Sequence, residues 1–136
     1  MAQTLHLEIV TPERMILDEH VDRVEVPGLN GELGILPEHA ELISELKPAG
    51  LLTYQSGERR GQIAVSDGFV EVSHNRVTVL ADSAARPEDI DLGRALAMKE
   101  TAEMQLQKSL TDPEIDIAKA TAQLDRARIE LQLAGK

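Results

Sequence analysis

From Leu5 to Leu80 apolar residues alternate with polar ones in short runs, the period-two pattern of strands with one buried face. Leu5, Leu7 and Ile9 make one face with His6 and Glu8 opposite. Val24 and Val26 flank Glu25, Ile63 and Val65 flank Ala64, Phe69 and Val70 lead to Val72, and Val77 and Val79 flank Thr78. Turn-forming pairs punctuate these runs: Thr11-Pro12, Pro27-Gly28, Asn30-Gly31, Lys47-Pro48, Ser56-Gly57, Asp67-Gly68 and His74-Asn75. The last pair, between Val72 and Val77, predicts a hairpin tip. Many short strands at this spacing predict a β-sandwich or flattened barrel.

After Arg86-Pro87 the grammar changes. No proline occurs until Pro113, the only glycine before it is Gly93, and Ala, Leu, Glu, Lys and Gln dominate, all strong helix formers. Asp112 is placed to cap a second helix that starts at Pro113, where a missing N–H does no harm. Leu92, Ala95, Ala102, Leu106 and Ser109 follow one helical stripe, with Lys99 interrupting it, and Ile117, Ala120, Leu124, Ala127, Leu131 and Ala134 follow another. Small residues let two helices approach closely, so an antiparallel two-helix hairpin is expected. A second stripe, Ile115, Ala118, Ala122, Ile129 and Leu133, offers a face for docking on the sandwich or on another protein. The expected organisation is a β-sandwich over residues 1–86 and a helical hairpin over 87–136.

Composition narrows the chemistry. Of 136 residues only Tyr54 and Phe69 are aromatic, so platforms for stacking bases are lacking. The net charge of -10 repels a phosphate backbone, and nucleic acid is not an expected partner. Cysteine is absent, which removes disulfides, thiolate catalysis and thiolate zinc sites together. Met1 to Leu17 lacks the basic-then-apolar order of a leader, and no stretch is apolar for long enough to span a bilayer, so direct membrane insertion is not expected. The four histidines are scattered, with no His-x-His or Glu-x-x-His spacing, and no phosphate-binding loop or nucleophile elbow occurs. Neither a metal site nor a catalytic centre is expected; the chain reads as one that touches other proteins.

The most informative stretch is Pro27-Gly28-Leu29-Asn30-Gly31-Glu32-Leu33-Gly34-Ile35-Leu36-Pro37-Glu38-His39-Ala40-Glu41-Leu42. Its glycines allow tight turns, Leu33, Ile35 and Leu36 anchor a strand, and Glu32 and His39 flank it as polar groups. This stretch resembles the signature of the epsilon subunit of the bacterial F-type ATP synthase, with its Gly-Glu-Leu-Gly-Ile-x-Pro-x-His-Ala run. Ser66-Asp67-Gly68-Phe69-Val70-Glu71-Val72 and Asn75-Arg76-Val77-Thr78-Val79-Leu80-Ala81-Asp82 are also similar to that family, and the resemblance runs the length of the chain.

The resemblance implies a non-catalytic rotor subunit on the cytoplasmic face of the bacterial inner membrane, needing no cofactor for its work. Its sandwich would sit at the foot of the gamma subunit and meet the polar loops of the c-ring, with Glu32 at the c-ring loops and His39 near gamma. Its hairpin would move, and when extended would reach the catalytic alpha/beta head. Composition alone leaves a free-standing adaptor open as the alternative.

Ile90-Asp91-Leu92-Gly93-Arg94-Ala95 resembles a nucleotide motif of some members, which implies regulatory ATP held by Asp91, Arg94 and Arg126. There Asp91 would accept from a polar nucleotide edge and Arg94 would pair with phosphate. Without nucleotide, Asp91 serves the helix dipole and pairs with Arg94. Glu130 stands where nucleotide-binding relatives carry a second arginine, one turn after the position of Arg126. Residues 88–116 carry 3 basic and 8 acidic side chains and 117–136 carry 4 and 2, so the last helix is the basic surface. Lys119, Arg126 and Arg128 are its candidates for an acidic segment of the catalytic beta subunit.

Overall fold

In the computed structural model, which describes residues 3–135, eight strands are followed by two helices. The strands are β1 (Leu5–Val10), β2 (Met15–Val21), β3 (Arg23–Gly28), β4 (Gly31–Ile35), β5 (Leu42–Glu45), β6 (Gly50–Ser56), β7 (Arg59–Ser73) and β8 (Arg76–Ala85). They hydrogen-bond in the order β2-β1-β8-β7-β6-β3-β4, and β5 pairs with β7. All pairs are antiparallel except β1 with β8.

This sheet folds over into two layers because β7 belongs to both. Its first half pairs with β6 and its second half with β5, while β8 runs beside it from Ala64 to Ser73. Ile63 and Val65 point into the core from the first half, Val70 and Val72 from the second, so the inward phase reverses between them. Asp67 and Gly68, read from sequence as a turn between strands, are the corner inside one strand, with φ of 50° and 128°. A Cβ on Gly68 would lie 1.9 Å from the carbonyl oxygen of Leu80. Only glycine permits that approach at that dihedral.

Leu5, Leu7, Ile9, Val77 and Val79 from one layer meet Val24, Val26, Ile35, Leu52 and Ile63 from the other in a single core. Tyr54 fills the space that its cross-strand partner Gly61 leaves open. His74-Asn75 form the expected two-residue tip, both with positive φ as the twist of a tight hairpin requires. Leu36, expected to anchor a strand, lies beyond the end of β4 and is exposed. Pro27-Gly28, read as a turn, closes β3 within the sheet; the β3–β4 tip is Leu29-Asn30.

The helices are α1 (Leu92–Lys108) and α2 (Ile117–Ala134), preceded by a single 3-10 turn over Pro87–Asp89. Asp91 caps α1 by accepting from the Arg94 backbone N–H at 3.1 Å. The second helix begins later than the proline suggests. Asp112 accepts from the Glu114 N–H at 3.0 Å and closes a tight turn, and Asp116 caps α2 through the Lys119 N–H at 3.0 Å. Ala95 and Ala102 of α1 are buried against Ala120, Leu124 and Ala127 of α2, the close-packed seam expected from the small residues. Ile117, placed on that seam by periodicity, is exposed at its open end.

The hairpin docks through α2, which packs on β7, β6 and the 3-10 turn. Burial of Ala64 and Ser66, which lie outside the core cluster, marks the covered stretch of β7. Of the second stripe, only Leu133 is buried; Ile129 and Ala122 are half-buried, Ala118 is exposed and Ile115 precedes the helix. Docking is therefore concentrated near the end of α2. Arg86 in the linker donates from Nε to the carbonyl oxygen of Ile16 at 2.9 Å and from Nη2 to the same atom, fixing the connection to the edge of β2.

Two outcomes follow at the corner. Gly68→Ala should destabilise the chain by about 3 kcal/mol, read by urea unfolding, since the added methyl meets backbone rather than a movable side chain. Burial, and then the facing Asp82, raise the Asp67 pKa above its ordinary value. A carboxyl with a raised folded pKa favours folding while protonated and loses that benefit as pH rises through the folded value. Asp67→Asn, which keeps a residue tolerant of positive φ, should therefore be more stable than wild type at neutral pH. The difference should close below about pH 3, where both carboxyl states are protonated.

Candidate interaction surfaces

The outward face of the layer formed by β2, β1, β8, β7 and β5 is divided along its strands. At one end the register aligns Glu45, Phe69, Leu80, Val10 and Met15 in a row across all five strands. Phe69, Leu80 and Met15 are 51%, 53% and 46% exposed, and Ile43, two residues along β5 from Glu45, is 69% exposed. Leu29, at the β3–β4 tip, extends the patch; its N–H donates to the Glu45 carbonyl at 2.9 Å, and it shares a shallow pocket with Ile43 and Phe69. An apolar row of this extent, left open to water, has the character of a protein contact rather than of an isolated surface leucine.

The other end of the same face is polar. His6 and His20, paired across β1 and β2, stack with ring centroids 4.9 Å apart. His6 Nε2 is 2.5 Å from the Asp18 carboxylate, and Arg76 donates to Glu8 at 2.7 Å. Ligand-type atoms of His6, Glu8 and Asp18 thus come within 4.8 Å of one another, a convergence that spacing along single strands did not reveal. Each already has a partner, and the group forms the polar rim of the apolar row.

Glu32 and His39 sit at opposite ends of β5. Glu32 lies in the β3–β4 hairpin opposite Pro27, exposed and with no ion pair among the described residues. His39 is half-buried in the loop before β5, where its N–H donates to the Leu36 carbonyl at 3.1 Å and its Nδ1 lies 2.7 Å from the Ala40 carbonyl. The loop is fixed by the β7–β8 tip: Asn75 Oδ1 accepts from the Glu38 N–H at 2.6 Å and its Nδ2 donates to the Glu38 carboxylate at 3.1 Å. That reciprocal pair holds Glu38 at φ 69°. The two residues are presented to different surroundings.

Asp91, Arg94 and Arg126 do converge. They line one pocket of about 240 Å³ between the β1–β2 turn, the linker and the hairpin, together with Arg14, Asp89 and Glu130. Asp91 spends its carboxylate on the α1 cap, and among the described residues it makes no ion pair with Arg94, contrary to the pairing expected without nucleotide. The Arg94 N–H rather than its guanidinium meets Asp91 because a capping side chain turns back over the helix end. Arg126 Nε donates to Glu130 at 3.0 Å, and Arg14 pairs with Asp89 at 3.6 Å.

Lys119, Arg126 and Arg128 do not form one cluster. At 100° per residue, Lys119 and Arg126 share one flank of the α1-facing seam and Arg128 lies on the other. Lys119 and Arg128 are exposed and Arg126 is half-buried. Among the described residues no helix is long and apolar enough to cross a membrane.

Residues 4–87 match the family model described as ATP synthase, Delta/Epsilon chain, beta-sandwich domain, and residues 88–135 match the companion long alpha-helix domain. The ATP synthase epsilon chain of Nitratidesulfovibrio vulgaris strain DP4 is 45% identical over 99% of this chain and 98% of its own length. That of Desulforamulus reducens is 47% identical over 93% and 94%. Among solved structures, a chain of the Euglena gracilis mitochondrial ATP synthase, described as OSCP/F1/c-ring in rotational state 1, superposes with a TM-score of 0.80. It is 24% identical, over 98% of this chain and 82% of that one, a likeness of fold. With both its strand-rich and helical parts matched, the chain belongs to the delta/epsilon family of ATP synthase subunits.

Proposed function

We propose that this chain is the epsilon subunit of the central stalk of a bacterial F-type ATP synthase, a non-catalytic part of the rotor. In this reading it couples rotation of the proton-driven c-ring through gamma to ATP synthesis. It works at the cytoplasmic face of the inner membrane as a peripheral part of the complex. The observation that carries the reading is the apolar row from Phe69 to Met15, with its polar rim, on the outer face of the sandwich. A torque-bearing contact needs a rigid platform, and a five-strand face backed by a continuous core supplies one.

Gamma is the proposed occupant of that face, and His39, in the loop before β5 at the end away from the apolar row, would meet gamma beyond the polar rim. Glu32, exposed on the β3–β4 hairpin whose tip residue Leu29 borders the row, would meet the polar loops of the c-ring. The hairpin restrains ATP hydrolysis by extending to the alpha/beta head, where Lys119, Arg126 and Arg128 meet acidic groups. Because Arg126 and Arg128 flank the seam on opposite sides, such a contact has to straddle the helix rather than lie along one flank.

Phe69→Asp and Leu80→Asp place charges at exposed positions and should leave the fold intact. Together they should reduce recovery of gamma with the tagged chain from detergent-solubilised membranes by about tenfold or more. Full recovery of gamma with a natively folded double variant would reject the proposed face. Recovery of the wild-type chain without any ATP synthase subunit would instead favour the adaptor. For the brake, replacing Lys119, Arg126 and Arg128 by Ala should raise membrane ATP hydrolysis without loss of assembly. Unchanged hydrolysis would remove those side chains from the inhibitory contact.

A further inference from the structure

We infer that in this chain the pocket between sandwich and hairpin is closed to nucleoside triphosphates by its own carboxylates, with Glu130 taking the place beside Arg126 that a phosphate would need. The inference takes the class of ligand from the family reading above and tests whether these residues suit it. A triphosphate is a polyanion, and its binding requires guanidinium or backbone donors in surplus over competing carboxylates. Here the balance is reversed, with three arginines and five carboxylates lining the pocket.

The arginines are also committed. Arg14 faces Asp89 at 3.6 Å. Arg126 donates to Glu130 at 3.0 Å, and the Glu130 side chain is only 14% exposed against 37% for Arg126. That carboxylate is therefore shielded from water and held on the guanidinium one helical turn before it. A phosphate approaching Arg126 would have to expel Glu130 or share the site with its charge, and like charges in a partly dry site repel strongly. Arg94 is the one pocket arginine without an ion-pair partner among the described residues. One free guanidinium does not offset five carboxylates, so the hairpin is held on the sandwich without nucleotide, by Leu133 and the linker.

Calorimetric titration of the full-length chain with ATP decides the matter. Wild type should give no saturable heat up to millimolar ATP. Glu130→Gln, which frees Arg126 at nearly constant shape, should bind weakly. Glu130→Arg should bind at least about tenfold more tightly than Glu130→Gln, since one charge-assisted phosphate contact is worth that much. Binding should vanish again when Arg126→Ala is added to it. Hydrogen exchange in α2 should slow with ATP in Glu130→Arg and stay unchanged in wild type.

Saturable wild-type binding that Arg126→Ala abolishes would overturn the inference. So would an absence of binding in Glu130→Gln and Glu130→Arg when both keep native exchange protection. Should Glu130→Arg not fold, the Glu130→Gln result decides alone. Recovery of gamma is scored separately, so a failure of the family reading cannot be mistaken for a failure here.

Discussion

The close approach of Gly68 to the Leu80 carbonyl is the constraint on which the rest of the molecule depends. At that point β7 leaves one layer for the other, and its inward phase passes from Ile63 and Val65 to Val70 and Val72. The reversal closes the core, because both halves of a single strand can then contribute buried side chains. It also turns Phe69 outward, where it joins Leu80, Val10 and Met15. The residue that permits the corner thus also positions the face proposed for gamma.

The hairpin is built on a different principle. Ala95, Ala102, Ala120 and Ala127 bring α1 and α2 into close contact, but each methyl contributes only about 1 kcal/mol on burial. The contact with the sandwich is concentrated at Leu133 and the linker rather than spread along α2. A unit with limited docking area can leave its platform at modest cost, which suits the exchange of partners proposed for it. The sandwich, with its continuous core, has no such freedom. A continuous core and a lightly docked hairpin are therefore divided between the two parts, in keeping with the coupling and regulatory roles proposed for them.

Electrostatics links the two parts. Arg86 ties the linker to the carbonyl of Ile16 and Arg14 meets Asp89, while within α2 Glu130 occupies Arg126. Surface ion pairs add little stability singly. Their effect in this pocket is on selectivity, since a cation already paired with an internal carboxylate is not available to an external anion.

Much of this was legible in the sequence. Alternation located β1, β3, β8 and both halves of β7, the turn at His74-Asn75 was set by residues that tolerate positive φ, and small residues at helical spacing announced the hairpin seam. Asp91, Arg94 and Arg126 line one pocket. Other features were not legible, because period two says that a strand has two faces but not which face is buried, nor where that choice reverses. The strands β2, β5 and β6 carried weaker alternation and became strands through their partners. Leu36, expected to anchor a strand, is exposed, since where strand pairing ends decides what the core covers. Pro113 suggested a helix start, yet two local hydrogen bonds, at Asp112 and Asp116, moved it to Ile117. His6, Glu8 and Asp18 are remote or alternating in sequence and meet only because β1 and β2 pair in one register. The sequence by itself determined local conformation, through steric preference and side-chain-to-backbone bonding. Which groups face each other was decided by the tertiary structure, because strand register and the fold-over at Gly68 are long-range properties.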